Sequence, residues 1–311
     1  MATLTERRRF GRTGLMVSPV GFGGAPIGFL ETERERVGRT LNTLLDEGMN
    51  LIDTAAMYRG SEALIGETVG SRRDEFVLVT KCGTEVPDLA HKAWTPELVS
   101  ATVDRALRTL KTDRLDVMLL HSCDLETFRK GEALGALIEA KRAGKVRHVG
   151  YSGDNETAGE AAQHPEIEVI QTSLNICDQR NASFVLPVCR AHDVGVMVKR
   201  PIANAAWKRP EDQPGMYRNY AEEYHRRFGV MGLRLEDFPE ADRGAGWGEL
   251  ALRFTLGHEG VSTAIIGTTN PDNALANLRA AAKGALSPAS MARLREAFES
   301  APGSSGWTGQ T

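Results

Sequence analysis

The 311-residue chain sets 38 Lys and Arg against 41 Asp and Glu, a formal net charge of −3, with 41% hydrophobic and 25% charged residues. That balance excludes disordered, collagenous and fibrous proteins and permits a large buried core. With no basic stripe interleaved with aromatics, nucleic acid is not an expected partner. The opening MATLTERRRFGRTG is charged where a signal peptide needs an apolar core, and no apolar run approaches the ~20 residues of a membrane span, so the expectation is a cytoplasmic protein with no membrane partner.

Short apolar runs predict strands, in chain order, at PVGFGG (19–24), MNLID (49–53), FVLVTK (76–81), RLDVMLLH (114–121), KVRHVGYS (145–152), EVIQTS (168–173), VGVMVKR (194–200) and STAIIG (262–267). They are hydrophobic on both faces and rich in β-branched residues, as strands of a buried parallel sheet are. Segments of helical period separate most of them. Thr95-Pro96-Glu97 opens one such segment with a capping threonine and a proline in the first turn. Asn270-Pro271-Asp272 opens another, which Gly284 closes. Eight strands alternating with helices imply a single α/β domain over residues 1–311, closed as a (β/α)8 TIM barrel. Residues 203–248 interrupt the rhythm with Pro, Gly and mixed charge, and predict a long loop after the seventh strand, above the catalytic face. The tail 301–311, APGSSGWTGQT, predicts a weakly structured end without chemistry.

Four cysteines, Cys82, Cys123, Cys177 and Cys189, lie far apart without CxxC spacing, which argues against a disulfide framework or a zinc site. The Asn-x-Ser/Thr matches at Asn155 and Asn181 carry no meaning in a protein that is not secreted. Polar residues instead concentrate at strand ends: Asp53, Lys81, His121, Ser152, Gln171 and Lys199-Arg200. In a parallel barrel these ends converge on one face, and a Lys and an Asp there are rarely left without partners. Cys82, which follows Lys81, and Cys123, two residues past His121, are candidates for a cation-favoured thiolate, with small residues filling space as the alternative.

LIDTAAMYRGSEALIG (51–66), followed by VTK ending at Lys81 and LLH ending at His121, resembles the aldo-keto reductases in motif and order. The similarity runs on through GKVRHVGYS (144–152), VIQTSLN (169–175) and IIGTTNPDNALANL (265–278), and RRFGRTGLMVSPVGFGG resembles that family's N-terminal β-hairpin and first strand. The resemblance implies a catalytic tetrad of Asp53, Tyr58, Lys81 and His121 acting on a small carbonyl or alcohol substrate (an aldehyde, ketone or sugar). Hydride addition to a carbonyl creates an alkoxide that needs a proton, which Tyr58 would supply as general acid. Lys81 is expected to draw the phenol toward phenolate, Asp53 to offset the lysine's buried charge, and His121 to donate a hydrogen bond to the carbonyl oxygen.

Neither a Rossmann GxGxxG after a strand nor a Walker A sequence occurs. The resemblance implies NADP(H), or NAD(H), laid across the barrel mouth. Ser152 and Gln171 would hold the carboxamide, and the helix after Asn270, with Gly267, Thr268, Thr269, Asn273 and Asn277, the adenosine-side phosphate. Three departures stand out. Ser152-Gly153 replaces the family's frequent Ser-Asn, Lys199-Arg200-Pro201 replaces Tyr-Ser-Pro with its stacking tyrosine, and Thr268-Thr269-Asn270 lacks the cation common in the 2′-phosphate loop. Either one of Lys199 and Arg200 pairs with an acidic residue while the other reaches solvent, or at least one of them holds an anionic group of cofactor or substrate. Two other functions remain open on the residues alone: a nucleotide-sensing subunit of the same fold without turnover, and a Schiff-base lyase using Lys81.

Overall fold

A computed structural model describes residues 4–30, 32–213 and 221–310. An antiparallel hairpin of β1 (Arg8–Arg9) and β2 (Met16–Val17) precedes the eight barrel strands. These are β3 (Val20–Gly23), β4 (Leu51–Asp53), β5 (Val77–Cys82), β6 (Leu115–His121), β7 (Val146–Ser152), β8 (Val169–Ser173), β9 (Gly195–Lys199) and β10 (Val261–Ile266). Each pairs in parallel with the next, and β10 returns to β3 to close the barrel as expected.

The pleat of each strand decides what faces the barrel axis. Leu51, Val77, Val79, Val117, Leu119, Val169 and Met197 form one apolar cluster with Phe10 of the hairpin. Their alternating neighbours Ile52, Leu78, Met118, Leu120, Ile170 and Val198 pack outward among the helices. Side chains two apart share a face. Asp53 therefore lies on the side of Leu51, Lys81 on that of Val79, His121 on that of Leu119, Gln171 on that of Val169 and Lys199 on that of Met197. The same register sets His121 opposite Ser152, and Ser152 opposite Gln171. The interior is thus apolar along most of its length and polar at its carboxyl end, while Phe10, fully buried, seals the other end.

The helix signals hold. Thr95 Oγ1 accepts from Leu98 N at 3.3 Å at the head of the helix Pro96–Thr109, and Asn270 Oδ1 accepts from Asp272 N at 2.9 Å at the head of Pro271–Ala282. Gly284 follows the latter helix with φ +73°. Two expectations change. Residues 203–248, apart from 214–220, which lie outside the described residues, contain the helix Glu222–Val230 and several 3-10 turns rather than a plain loop. Charge on its outer side hides the pattern, while Tyr224 is buried and Phe228, Phe238 and Trp247 interlock edge to face. The tail expected to be weakly structured is docked: Trp307, only 5% exposed, packs edge-on against Phe298 at 5.2 Å. One large aromatic among Gly and Ser suffices to anchor it.

Candidate active site

At the carboxyl end of the barrel the Lys81 ammonium contacts both oxygens of Asp53, at 2.7 and 2.8 Å, and the Thr54 carbonyl at 2.7 Å. Both charged side chains are buried. Burial pushes the Asp53 carboxyl up and the Lys81 ammonium down, and their mutual contact opposes both shifts. The network extends sideways. Gln171 Nε2 donates to Asp53 Oδ1 at 3.0 Å, which turns Gln171 Oε1 toward Ser152 Oγ, its donor at 2.9 Å. Because a carboxylate can only accept, Asp53 fixes the orientation of the Gln171 amide as well as the lysine.

Tyr58 stands above this pair, its ring centroid 5.2 Å from Lys81 Nζ and 5.9 Å from the His121 ring, which it meets edge-on. Phe29 packs on the ring from another side, at 5.3 Å. The loop carrying Tyr58 is tied down by the rest of its motif. Ser61 Oγ donates to Gly24 O, and Glu62 accepts from Thr80 Oγ1 at 2.8 Å while pairing with Arg105 at 2.6 Å. The expectation that Lys81 draws the phenol toward phenolate finds no support in the shift at Tyr58. Burial and the neighbouring Asp53 carboxylate push the Tyr58 hydroxyl up, with Arg200 opposing. The lysine's three N–H groups face three acceptors, so none is left to donate to the Tyr58 hydroxyl.

Burial, with Lys81 and Lys199 nearby, pushes the His121 imidazole well below its usual range and keeps it neutral. Its Nδ1 is buried without a hydrogen-bond partner. An orphaned ring nitrogen beside a phenol is a site prepared for a polar group from a ligand. The thiolate reading fails: Cys82 and Cys123 are buried, and burial pushes both thiols up. They fill space.

These groups open into a cavity of about 710 Å³ walled by Asp53, Tyr58, His121, Ser152 and Gln171 on one side and by Gly267, Thr268, Thr269, Asn273 and Asn277 on the other. Asn273 and Asn277, four residues apart, share a face of the helix Pro271–Ala282 near its amino end, where backbone N–H groups favour an anion. Both Lys199 and Arg200 also line the cavity. Strand alternation would send them to opposite faces, but Arg200 adopts a left-handed φ of +57°, held by Asn175 Nδ2 donating to its carbonyl at 3.0 Å. Lys199 Nζ pairs with Asp154 Oδ2 at 2.9 Å. Arg200 does not run to solvent: its Nη1 donates to Ser173 Oγ at 3.2 Å and to the Gln310 carbonyl.

A sequence profile of the Aldo/keto reductase family matches residues 19–299. The chain is a member of that family. An uncharacterized oxidoreductase, YqkF, from Bacillus subtilis is 26% identical over 290 residues, covering 89% of this chain and 91% of that protein. The holo form of aldo-keto reductase AKR11C1 from Bacillus halodurans superposes with a TM-score of 0.78 at 25% identity, covering 94% and 96% of the two chains. An aldo-keto reductase from Klebsiella pneumoniae, solved in complex with NADPH, superposes with a TM-score of 0.74 at 24% identity, covering 96% of each chain.

Within this aldo-keto reductase the departure at Gly153 has a steric cause. A Cβ there would lie 2.4 Å from the Tyr151 hydroxyl, which donates to Cys123 O at 2.7 Å, so no asparagine fits. Sequence reasoning missed Asp154, the partner of Lys199. It stands two residues beyond Ser152 at the end of β7, and the same rule of polar residues after apolar strands would have flagged it. The docked tail had only Trp307 as a signal. Among the described residues no group of His, Cys, Asp and Glu has metal-site geometry, and no helix is long and apolar enough to cross a membrane.

Proposed function

We propose that this enzyme transfers hydride between a nicotinamide and a small carbonyl or alcohol substrate, with Tyr58 as the group that gives or takes the proton. As a family member it is an NADP(H)-dependent oxidoreductase. The observation that carries the assignment of roles is the convergence of Tyr58, His121 and Asp53 on one cavity, with the buried Lys81 ammonium paired to Asp53.

The residues present fit a nicotinamide nucleotide. Ser152 and Gln171 offer a hydroxyl and an amide to the carboxamide. The amino end of Pro271–Ala282, with Thr268, Asn273 and Asn277, suits a phosphate, and Arg200 a second anionic group of the cofactor. When bound, the reduced nicotinamide supplies the hydride. Tyr58, kept protonated by burial and by Asp53, holds its proton ready for the alkoxide that hydride addition creates. His121, neutral, gives its ring N–H to the carbonyl oxygen, which polarises and orients it. Asp53 keeps Lys81 in place, and through Gln171 it also sets the polarity of the carboxamide site.

The lyase alternative loses its nucleophile, since the Lys81 ammonium is fully buried and makes three hydrogen bonds. The sensor alternative keeps the fold but predicts tight NADPH binding with no turnover. A screen of aldehydes, ketones and sugars with NADPH and NADH, following reduced-nicotinamide absorbance, separates it from the reductase. Tyr58→Phe should then lower turnover by roughly 10²–10⁴-fold with cofactor affinity retained. Retention of more than about a tenth of the wild-type rate refutes the role given to Tyr58.

A further inference from the structure

We propose that the segment Trp307–Gln310 is a positioning element of the active site, a latch that holds the Arg200 guanidinium at the cavity wall. The inference rests on the reading of Arg200 as a contact for an anionic group of the cofactor.

The seat of this segment is built rather than incidental. Thr308 O accepts from Arg227 Nη2 at 3.0 Å. Gly309 makes a paired amide contact with Asn155, its N–H donating to Oδ1 at 2.7 Å and its carbonyl accepting from Nδ2 at 3.0 Å. Gln310 N donates to Asp178 Oδ2 at 3.1 Å, and Gln310 O accepts from Ser173 Oγ at 2.9 Å and from Arg200 Nη1. Apart from Arg227, on the helix Glu222–Val230, the partners come from the carboxyl ends of β7, β8 and β9 or from the turns just beyond. An irregular backbone whose Thr308, Gly309 and Gln310 carbonyls and Gly309 and Gln310 N–H groups are all met by side chains is held in one conformation.

Two of those partners, Asn155 and Arg200, hold left-handed backbones, at φ +56° and +57°. Such conformations are costly for residues other than glycine and persist only when the surroundings impose them. The fit also excludes side-chain bulk. A Cβ on Gly309 would sit 2.8 Å from both Asp154 Cβ and Asn181 Nδ2, so the segment lies directly over the carboxylate that pairs with Lys199. Trp307 supplies the anchor, with the Arg227 guanidinium 5.1 Å above its ring. The chain of contacts therefore runs from the Trp307 anchor to the Gln310 carbonyl to Arg200. The last of these shares the cavity with Tyr58, Ser152 and Gln171.

A segment that only added stability would weaken the fold without regard to Arg200. A latch acts through it. The test compares the full chain with a truncation after Gly306 and with full-length Gly309→Val, each with and without Arg200→Ala. Backbone hydrogen exchange is read in the ligand-free protein, and the NADPH dissociation constant from cofactor fluorescence. The expected result is faster exchange across 199–203 with β4 and β5 unchanged, and NADPH binding weakened roughly ten- to a hundredfold, the cost of one charged hydrogen-bonded contact. In the Arg200→Ala background the truncation should add less than about twofold. Unchanged exchange across 199–203 overturns the latch, as does unchanged affinity, or a loss on truncation that persists in full without Arg200. If the truncated chain does not fold, Gly309→Val decides by the same criteria. A protein that exchanges as expected but binds no NADPH would instead refute the reading of the cavity, and Tyr58→Phe tests the chemistry separately.

Discussion

Replacing Asp53 by Asn leaves the Lys81 ammonium, fully buried, without its counter-charge. Removing one partner of a buried ion pair costs about 3–5 kcal/mol, because the remaining charge keeps its desolvation penalty and loses its compensation. With an unfolding entropy of about 2.1 cal/mol/K per residue, each kcal/mol moves the melting temperature of a chain this long by about 1.5 °C, so a drop of about 5–8 °C is expected near neutral pH. Lys81 is already pushed below its usual range by burial, and losing Asp53 pushes it further down. Between that lowered value and the unfolded lysine's own, the unfolded chain binds more protons than the folded one, so stability rises with pH. The deficit of the variant against wild type should therefore shrink as pH rises from neutrality toward the usual lysine range, in urea titrations followed by tryptophan fluorescence. Asp53→Asn combined with Lys81→Met removes both charges and should recover much of the loss, a strongly non-additive cycle. A single-variant cost below about 1 kcal/mol, or an additive double variant, would refute the claim that the two side chains function as one buried pair.

Asp178 is buried, and burial with Asp154 nearby raises its carboxyl to about 6, against the hydrogen bonds from Tyr224 and Gln310 N. A folded-state value above the unfolded one means that stability is present at low pH and lost as pH rises through that value. Asp178→Asn should therefore flatten the stability profile between about pH 4 and pH 7, and a profile parallel to wild type would contradict it. Cys82 and Cys123 should resist alkylation under native conditions and react on unfolding, checked by mass spectrometry after brief iodoacetamide exposure. Thr95→Ala should cost about 1 kcal/mol through loss of the cap on Leu98 N, measured by urea titration, without altering NADPH affinity.

The barrel and its polar rim were legible because burial on both faces of a parallel strand leaves an apolar run in the sequence, and period two then carries Asp53, Lys81, His121 and Gln171 to the same side. Three things were not legible. Whether Lys81 can donate to the Tyr58 hydroxyl depends on how it divides its hydrogen bonds between Asp53 and Thr54, which no spacing encodes. The shared orientation of Lys199 and Arg200 depends on one left-handed residue. The docking of Trp307–Gln310 depends largely on hydrogen bonds to residues 81 to 154 positions earlier in the chain. Residues 203–248 misled for a simpler reason: charges on the outer side of Glu222–Val230 outnumber the apolar residues that hold it down.

Phe10 and the hairpin stopper the far end of the barrel, so the chamber has one doorway. Traffic through a single doorway is last in, first out. On the proposed assignment, a nicotinamide resting on Ser152 and Gln171, which are almost fully buried, would have to arrive before a substrate that meets the half-buried Tyr58, and would leave after it. Ordered arrival and departure would then follow from the plug at the base, some distance from any atom that reacts.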